Sequence, residues 1–287
     1  MRISESANDS LKLTSPYLDL FFYTCFLTHR PQPSLKDKRR GFHLEQTSEF
    51  TRRRARIPLS LPIRVLCRES VDYQWIEQSR LVDVSHLGAG FTLTRPVEVG
   101  RLIQLTIPLP AQLRCFDHTE PMYSVWSLVR HASAIPRARR QEAALFRVGV
   151  GFMGKRPPRG YEADPTVRYE AVQIGAGQNS SWKFRERSSS NERRETRLLI
   201  PLEVLVETFD ENGNPSVKES TVTETISSLG TCIRTNLNVG VGRILRISGR
   251  NDPVSAFAAI RSRQVALDGI ARLGLEFIGE RWPLQRN

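Results

Sequence analysis

The sequence predicts an all-β fold built from two similar domains. From Leu61 onward, short apolar and β-branched runs alternate with turn residues at regular intervals, which is typical of a barrel or a sandwich. A similar series begins near residue 191, and five local patterns recur there in the same order. Since a chain of 287 residues has room for about two domains, we divide it into residues 1–49, 50–156, 157–190 and 191–287.

Residues 1–49 are predicted to be a largely disordered leader. Its apolar run Tyr17–Leu27 is interrupted by Asp19 and falls well short of the ~20 apolar residues that a membrane-spanning helix needs. The residues on either side do not fit a signal peptide. The charged run Lys36–Arg40 is interpreted either as a solvated arm or as an attractor for an anion. We therefore predict a cytoplasmic protein without a transmembrane segment.

The first domain, residues 50–156, is predicted to contain six strands. Gly100 marks a tight turn, and Pro108 and Pro110 end the fourth strand because proline cannot donate to a strand ladder. Residues 138–144 are predicted to form a polar or helical loop. The predicted strands are Pro62–Cys67, Gln74–Val84, Gly88–Thr94, Leu102–Ile107, Met122–His131 and Leu145–Phe152.

Residues 157–190 have the composition of a linker, being rich in proline, glycine and serine, although Tyr161–Ile174 is compatible with a short helix that packs on the barrel. Residues 191–287 then repeat the first domain. Arg193–Arg197 matches Arg52–Arg56, Pro201–Val206 matches Pro62–Cys67, Thr225–Gly230 matches Asp83–Gly88, Asn238–Gly240 matches Glu98–Gly100, and Arg272–Phe277 matches Arg147–Phe152. This agreement in order predicts an internal duplication.

The composition favours a polyanionic partner. The chain has 42 Lys and Arg against 30 Asp and Glu, a formal charge of +12. Arginine dominates, and its planar fork suits phosphate and guanine better than lysine does. The four cysteines stand far apart without a C-x-x-C pair, which predicts small buried side chains in a reducing cytosol and no metal site.

The first domain contains a set of side chains suited to one kind of ligand. Arg52 and Arg56 present two guanidinium groups that bind phosphate through paired hydrogen bonds and also pair with or stack on guanine. Asp83 accepts N–H donors from guanine, and Ser85 offers a hydroxyl. Gly88 permits a positive φ and a close approach of the backbone. These residues suit a ligand that carries guanine and phosphate, and they supply no nucleophile–base pair for catalysis.

The motif R-x-x-x-R, followed roughly thirty residues later by [D/N]-x-S-x-x-G, resembles the PilZ domain, the bacterial receptor for cyclic di-GMP. The resemblance extends over residues 52–153 and again over 191–278, and includes the later run R-V-G-V-G-F. It implies two six-stranded antiparallel β-barrels joined by a linker. Since the sequence shows no catalytic constellation and no cluster of metal ligands, we predict no enzyme activity and no cofactor or metal beyond the ligand. The residues that the resemblance assigns to cyclic di-GMP are Arg52, Arg53, Arg56, Asp83, Ser85 and Gly88.

The resemblance further implies a mechanism of signalling. Ligand binding orders the segment before the first strand, which then changes its packing on the barrel or on a protein partner of unknown identity. Such a switch works only as far as the ligand binds one state better than the other.

The second copy departs from the motif. Thr225 stands at the Asp/Asn position, and Pro201 follows Arg197 after four residues, whereas Pro62 follows Arg56 after six. Loss of a charged acceptor for guanine costs about 1.5–3 kcal/mol, so we expect weak binding or none. The weaker candidates are Arg193, Arg194, Arg197, Thr225, Ser227 and Gly230.

Two alternatives remain open. The first is a basic nucleic-acid-binding protein, which a steep dependence of affinity on salt would reveal. We do not expect a stable nucleic-acid complex, because the sequence has no cluster of aromatic residues typical of a single-strand groove. The second alternative is an interaction module that no longer binds the nucleotide.

Overall fold

Seven antiparallel strands form one sheet of this computed structural model, and six of them close into a barrel. The structure describes residues 56–136, 144–174, 181–187, 195–250 and 253–284, so the predicted leader and all but the last residue of the loop at 138–144 lie outside the described residues. The strands are β1 (Ile57–Pro58), β2 (Pro62–Arg68), β3 (Gln74–Ser85), β4 (Gly88–Leu93), β5 (Leu102–Ile107), β6 (Tyr123–Ile135) and β7 (Leu145–Gly154).

The order of strands around the first barrel is β2, β3, β4, β7, β6 and β5, and β5 pairs again with β2. The short β1 adds to the end of β3. All six predicted strands are present, with β6 running further than predicted, so the all-β prediction is confirmed. The predicted turn at Gly100 is confirmed by its φ of +95°.

Alternation of apolar and polar residues builds the core of this barrel. In β2, Ile63, Val65 and Cys67 are buried, while Arg64 between them is exposed. Successive side chains of a strand point to opposite faces, so one face of each strand lines the interior. Trp75 is fully buried, and its Nε1 donates a hydrogen bond of 2.8 Å to Glu69 Oε1, which satisfies the only polar group of the indole.

The segment predicted as a linker contains a helix and a hairpin. These are α1 (Arg159–Ala163), β8 (Tyr169–Ile174) and β9 (Ser181–Glu186), so β8 occupies part of the range suggested for a helix. Tyr161 and Tyr169 are buried against Leu102 and Leu128 on the outside of the first barrel, and the Tyr161 ring lies 5.0 Å from that of Trp126. In the described part of the chain, no helix has the length and apolar character to cross a membrane.

Residues 203–277 form a closed six-stranded barrel of the same strand order. Its strands are β10 (Glu203–Phe209), β11 (Pro215–Ser227), β12 (Gly230–Thr235), β13 (Ile244–Gly249), β14 (Ser255–Val265) and β15 (Ala271–Phe277). The predicted pair of six-stranded antiparallel barrels is thereby confirmed. Asn212-Gly213 makes the turn between β10 and β11, where Gly213 has a φ of +83° and Asp210 accepts hydrogen bonds from the backbone N–H of Asn212 and Asn214.

One of the five matched patterns was aligned incorrectly from the sequence. The counterpart of Gly100 is Gly242, not Gly240: Gly100 N–H donates to Val129 O, and Gly242 N–H donates to Ile260 O in the same way. Gly242 also has a positive φ of +91°. The three-residue pattern was therefore placed two residues too early, because short glycine turns carry too little sequence to fix an alignment.

A buried cluster of charges joins the two barrels. Arg101 is almost fully buried, and its guanidinium donates to Glu98 Oε2 at 2.6 Å and to three backbone carbonyls. One carbonyl belongs to the first barrel (Glu69, 2.9 Å), one to the connecting segment (Pro165, 3.2 Å) and one to the second barrel (Gly242, 3.1 Å). Arg101 therefore links all three parts through one side chain.

Glu98 is the centre of this cluster. It accepts hydrogen bonds from Arg101 and from Arg261 of the second barrel, and Arg261 Nε also donates to Glu276 at 2.6 Å. Burial acts to raise the pKa of Glu98, but the two guanidinium groups outweigh it and lower the pKa to about 2. The nearby Glu69 differs, because burial raises its pKa despite hydrogen bonds from Ile244 N and Trp75.

Acid is expected to weaken the contribution of Glu98 to stability. Its pKa falls from the ordinary glutamate value of 4.5 to about 2 in the folded protein, so its stabilising effect is complete above pH 4.5 and is lost as the pH falls through 2. Thermal unfolding of the wild type and Glu98→Gln should therefore show a difference in stability that is constant near neutrality and narrows below pH 4.5. A difference that stays constant far into the acid range would contradict the lowered pKa.

Candidate functional site

The structure brings Arg56 and Asp83 together. The short β1 pairs with β3 so that Ile57 lies opposite Val84 and Pro58 opposite Asp83. This register carries Arg56, the residue before β1, to the Asp83 carboxylate, and Arg56 Nη1 lies 2.5 Å from Asp83 Oδ1. Both side chains are about one-third exposed, so a ligand from solvent can reach the pair. Arg52 and Arg53 lie outside the described residues.

Ser85 and Gly88 lie at the turn that joins β3 to β4. Ser85 Oγ donates to Gly88 O at 3.4 Å, and the two residues face each other in the ladder. The expected positive φ at Gly88 is wrong, but the expected close approach is present. A Cβ atom at Gly88 would lie 2.1 Å from Val150 O on β7. Gly88 is therefore required by the packing of β4 against β7, whatever else it contacts.

Four glycines lie on β4 and β7 beside the Arg56–Asp83 pair. Asp83 pairs with Gly90 of β4, and Gly90 pairs with Gly149 of β7. Two residues earlier on β4, Gly88 pairs with Ser85 of β3 and with Gly151 of β7. We call Gly88, Gly90, Gly149 and Gly151 the glycine patch. Since neighbouring strands are ~4.8 Å apart, it extends about 10 Å across the barrel from β3.

Three glycines of this patch, Gly90, Gly149 and Gly151, were not among the predicted site residues. The signal was present in the run Arg147–Phe152, where glycine alternates with buried valine. Alternation places both glycines on the outer face.

The described part of the site offers a cation, a carboxylate, a hydroxyl and a glycine-lined surface, which are groups that bind a polar ligand. Among the residues that the structure describes, no group of His, Cys, Asp and Glu side chains has the geometry of a metal site. His86 and His131 are exposed.

The second barrel repeats the backbone of this site with different side chains. Leu198 bridges to Ile226 as Ile57 pairs with Val84, so Arg197 holds the place of Arg56. Ser227 Oγ donates to Gly230 O at 3.3 Å, and a Cβ at Gly230 would lie 2.2 Å from Leu275 O. Arg193 and Arg194 lie outside the described residues.

Three differences distinguish the second site. Thr225 stands in place of Asp83, and its Oγ1 is buried without a hydrogen-bond partner. Cys232 pairs with Thr225, where Gly90 pairs with Asp83. Glu276 pairs with Gly230, where Gly151 pairs with Gly88. The side chains of Cys232 and Glu276 therefore stand where the first barrel has only backbone.

Comparisons with known proteins give structural matches only. No family model matches the chain, and no curated protein matches it. One matching structure is the Borreliella burgdorferi PlzA protein in complex with c-di-GMP, which is 11% identical in sequence. The match covers 81% of this chain and 90% of the PlzA chain, with a TM-score of 0.25. A second is Bacillus subtilis MotI/DgrA, an inhibitor of motility, with 13% identity, coverage of 77% and 88%, and a TM-score of 0.25.

A third match is YcgR from Escherichia coli in complex with c-di-GMP, with 12% identity, coverage of 76% of each chain and a TM-score of 0.25. Two of these three structures contain the ligand of the family that the sequence motif resembles. The TM-scores are too low for the likeness to carry an argument, so the case for function depends on the residues of this chain.

Proposed function

We propose that this protein is a cytoplasmic receptor for cyclic di-GMP, built from two PilZ-like barrels, with its ligand site on the first barrel. The proposed ligand-binding residues are Arg52, Arg53, Arg56, Asp83, Ser85 and Gly88. The observation that carries the proposal is the contact between Arg56 and Asp83, which are 27 residues apart in sequence. It unites the two halves of the motif on one exposed surface beside Ser85.

Each group has a role that follows from its chemistry. The guanidinium of Arg56 donates to a phosphate oxygen through charge-assisted hydrogen bonds. Asp83 accepts hydrogen bonds from the N–H groups of a guanine, as a carboxylate does for the amino edge of a base. The glycine patch leaves room for a planar ring system to lie against the barrel. We propose that the bound ligand acts as a signal.

The ion pair also suggests how the signal leaves the site. A ligand that engages both Arg56 and Asp83 competes with their contact to each other, and Arg56 directly precedes β1. This strand has two residues, one of them a proline without a backbone N–H, so few hydrogen bonds hold it to β3. Ligand binding therefore changes the position of the chain before β1. We propose that a protein partner binds this segment in its changed position.

Calorimetry with cyclic di-GMP tests the proposal. Arg52→Ala/Arg56→Ala removes two charged donors, each worth about 1.5–3 kcal/mol, so affinity should fall by about a hundredfold or more. The matched control is Arg193→Ala/Arg197→Ala, which makes the same change in the second copy and should leave affinity within about threefold. If the first variant binds like the wild type, the assigned site is wrong, and if only the second loses binding, the two copies have been reversed.

A further inference from the structure

We infer that the position held by Gly151 in the first barrel and by Glu276 in the second determines which barrel accepts cyclic di-GMP. The inference rests on the function proposed above and goes further, because it names a position outside the proposed ligand-binding residues that excludes the ligand from the second barrel. Glycine at this position leaves the outer surface open, and glutamate closes it and adds a negative charge.

The two positions are equivalent by strand pairing. Gly151 lies opposite Gly88, and Glu276 lies opposite Gly230, the last residue of the corresponding motif. Both follow a buried core residue, Val150 or Leu275, and therefore face outward. The same register places Gly151 in line with Ser85, and Glu276 in line with Ser227, with one strand between the two members of each pair.

The packing of the first barrel does not require glycine at this place. A Cβ at Gly151 would meet nothing nearer than Arg130 Cγ at 3.8 Å, and a Cβ at Gly149 would meet nothing nearer than His131 Cβ at 3.7 Å, both ordinary contact distances. Glycine inside a strand weakens it, because it loses more backbone freedom on folding and packs no side chain. Because glycine lowers the stability of the strand and the packing does not require it, its presence at this position points to a ligand that needs the space. The exposed Arg56–Asp83 pair lies on the same surface.

In the second barrel the equivalent carboxylate is held in position. Glu276 Oε2 accepts hydrogen bonds from Arg261 Nε at 2.6 Å and from Arg168 Nη1 at 3.2 Å. Arg261 also bonds Glu98 at the junction between the barrels, so Glu276 belongs to that junction. A side chain fixed by two guanidinium groups does not swing away to admit a ligand. In the second barrel, the surface at Glu276 is therefore part of the joint between the barrels.

The test transfers the glutamate into the first barrel. Gly151→Glu should weaken binding of cyclic di-GMP by at least about tenfold in calorimetry, because it covers the patch and repels the phosphates. Gly154→Glu is the matched control: it lies on the same strand, adds the same charge, and its Cβ would have no neighbour within 4 Å. It should leave affinity within about threefold, since only a remote charge has changed.

The outcomes separate this inference from the proposed function. If the wild type binds cyclic di-GMP, Arg52→Ala/Arg56→Ala abolishes binding and Gly151→Glu binds normally, the inference is overturned and the proposed function stands. If the wild type does not bind, both are overturned. Thermal melting checks that Gly151→Glu is folded. If this variant does not fold, Gly149→Glu replaces it in the test, because Gly149 lies in the neighbouring row of the patch.

Discussion

Replacing Gly88 with alanine is expected to destabilise the first barrel by about 3 kcal/mol, as overpacking a close contact does. The added Cβ would lie 2.1 Å from Val150 O. Because this oxygen belongs to the backbone of β7, no side-chain rotation can relieve the clash. The strands must separate, and separation disturbs the ladder in which Phe152 N donates to Leu87 O at 2.8 Å. Urea unfolding of the full chain, with the midpoint and slope compared to the wild type, measures the effect.

Two other glycines serve as references for this substitution. Gly154→Ala on the same strand adds a methyl group where nothing lies within 4 Å and should be neutral or slightly stabilising. Gly230→Ala should reproduce the loss seen at Gly88, because its Cβ would lie 2.2 Å from Leu275 O in the second barrel. A Gly88→Ala variant as stable as Gly154→Ala would show that the two strands are not as close as described.

This prediction changes how the motif is interpreted. The last glycine of D-x-S-x-x-G has the same close contact in both barrels, although their neighbouring side chains differ. A glycine kept for strand packing says nothing about ligand binding, so Gly230 is no evidence for a second ligand site. The residues that distinguish the two sites are those at the positions of Asp83, Gly90 and Gly151.

Much of the fold was predictable because the barrel strands follow simple rules. Alternating runs such as Ile63, Val65 and Cys67 reveal one buried face, and glycine or proline ends each run. For these strands, the information lies in a single strand or a single turn. The contact between Arg56 and Asp83 was predictable for another reason: both residues belong to the motif, although they are 27 residues apart.

The features that the sequence analysis missed depend on strands that are distant in sequence. Gly149 and Gly151 form a patch only because β7 pairs with β4 in a register that places them opposite Gly90 and Gly88. Burial of Arg101 depends on the second barrel and the connecting segment, which supply two of its four acceptors. In the sequence this arginine looks like an ordinary solvent-exposed residue after a turn.

Replacing Arg101 with methionine is expected to cost about 3–5 kcal/mol of stability, the range found when one partner of a buried ion pair is removed. The change removes one of the two guanidinium groups bonded to Glu98 and deprives three backbone carbonyls of their donor. Methionine keeps much of the volume, so the loss reports the polar contacts rather than a cavity. Urea unfolding of the full chain measures it, and Arg64→Met, at an exposed position of β2, should lie within ~0.5 kcal/mol of the wild type.

A double substitution separates two explanations of this loss. If the cost comes from leaving Glu98 with too little positive charge, Arg101→Met/Glu98→Gln should recover part of the stability, because the buried charge is removed together with its partner. If the cost comes from the three carbonyls at 2.9–3.2 Å, the second substitution recovers nothing. We expect partial recovery, since one guanidinium serves both the carboxylate and the carbonyls. An Arg101→Met variant as stable as Arg64→Met would contradict the view that this side chain holds the barrels and the connecting segment together.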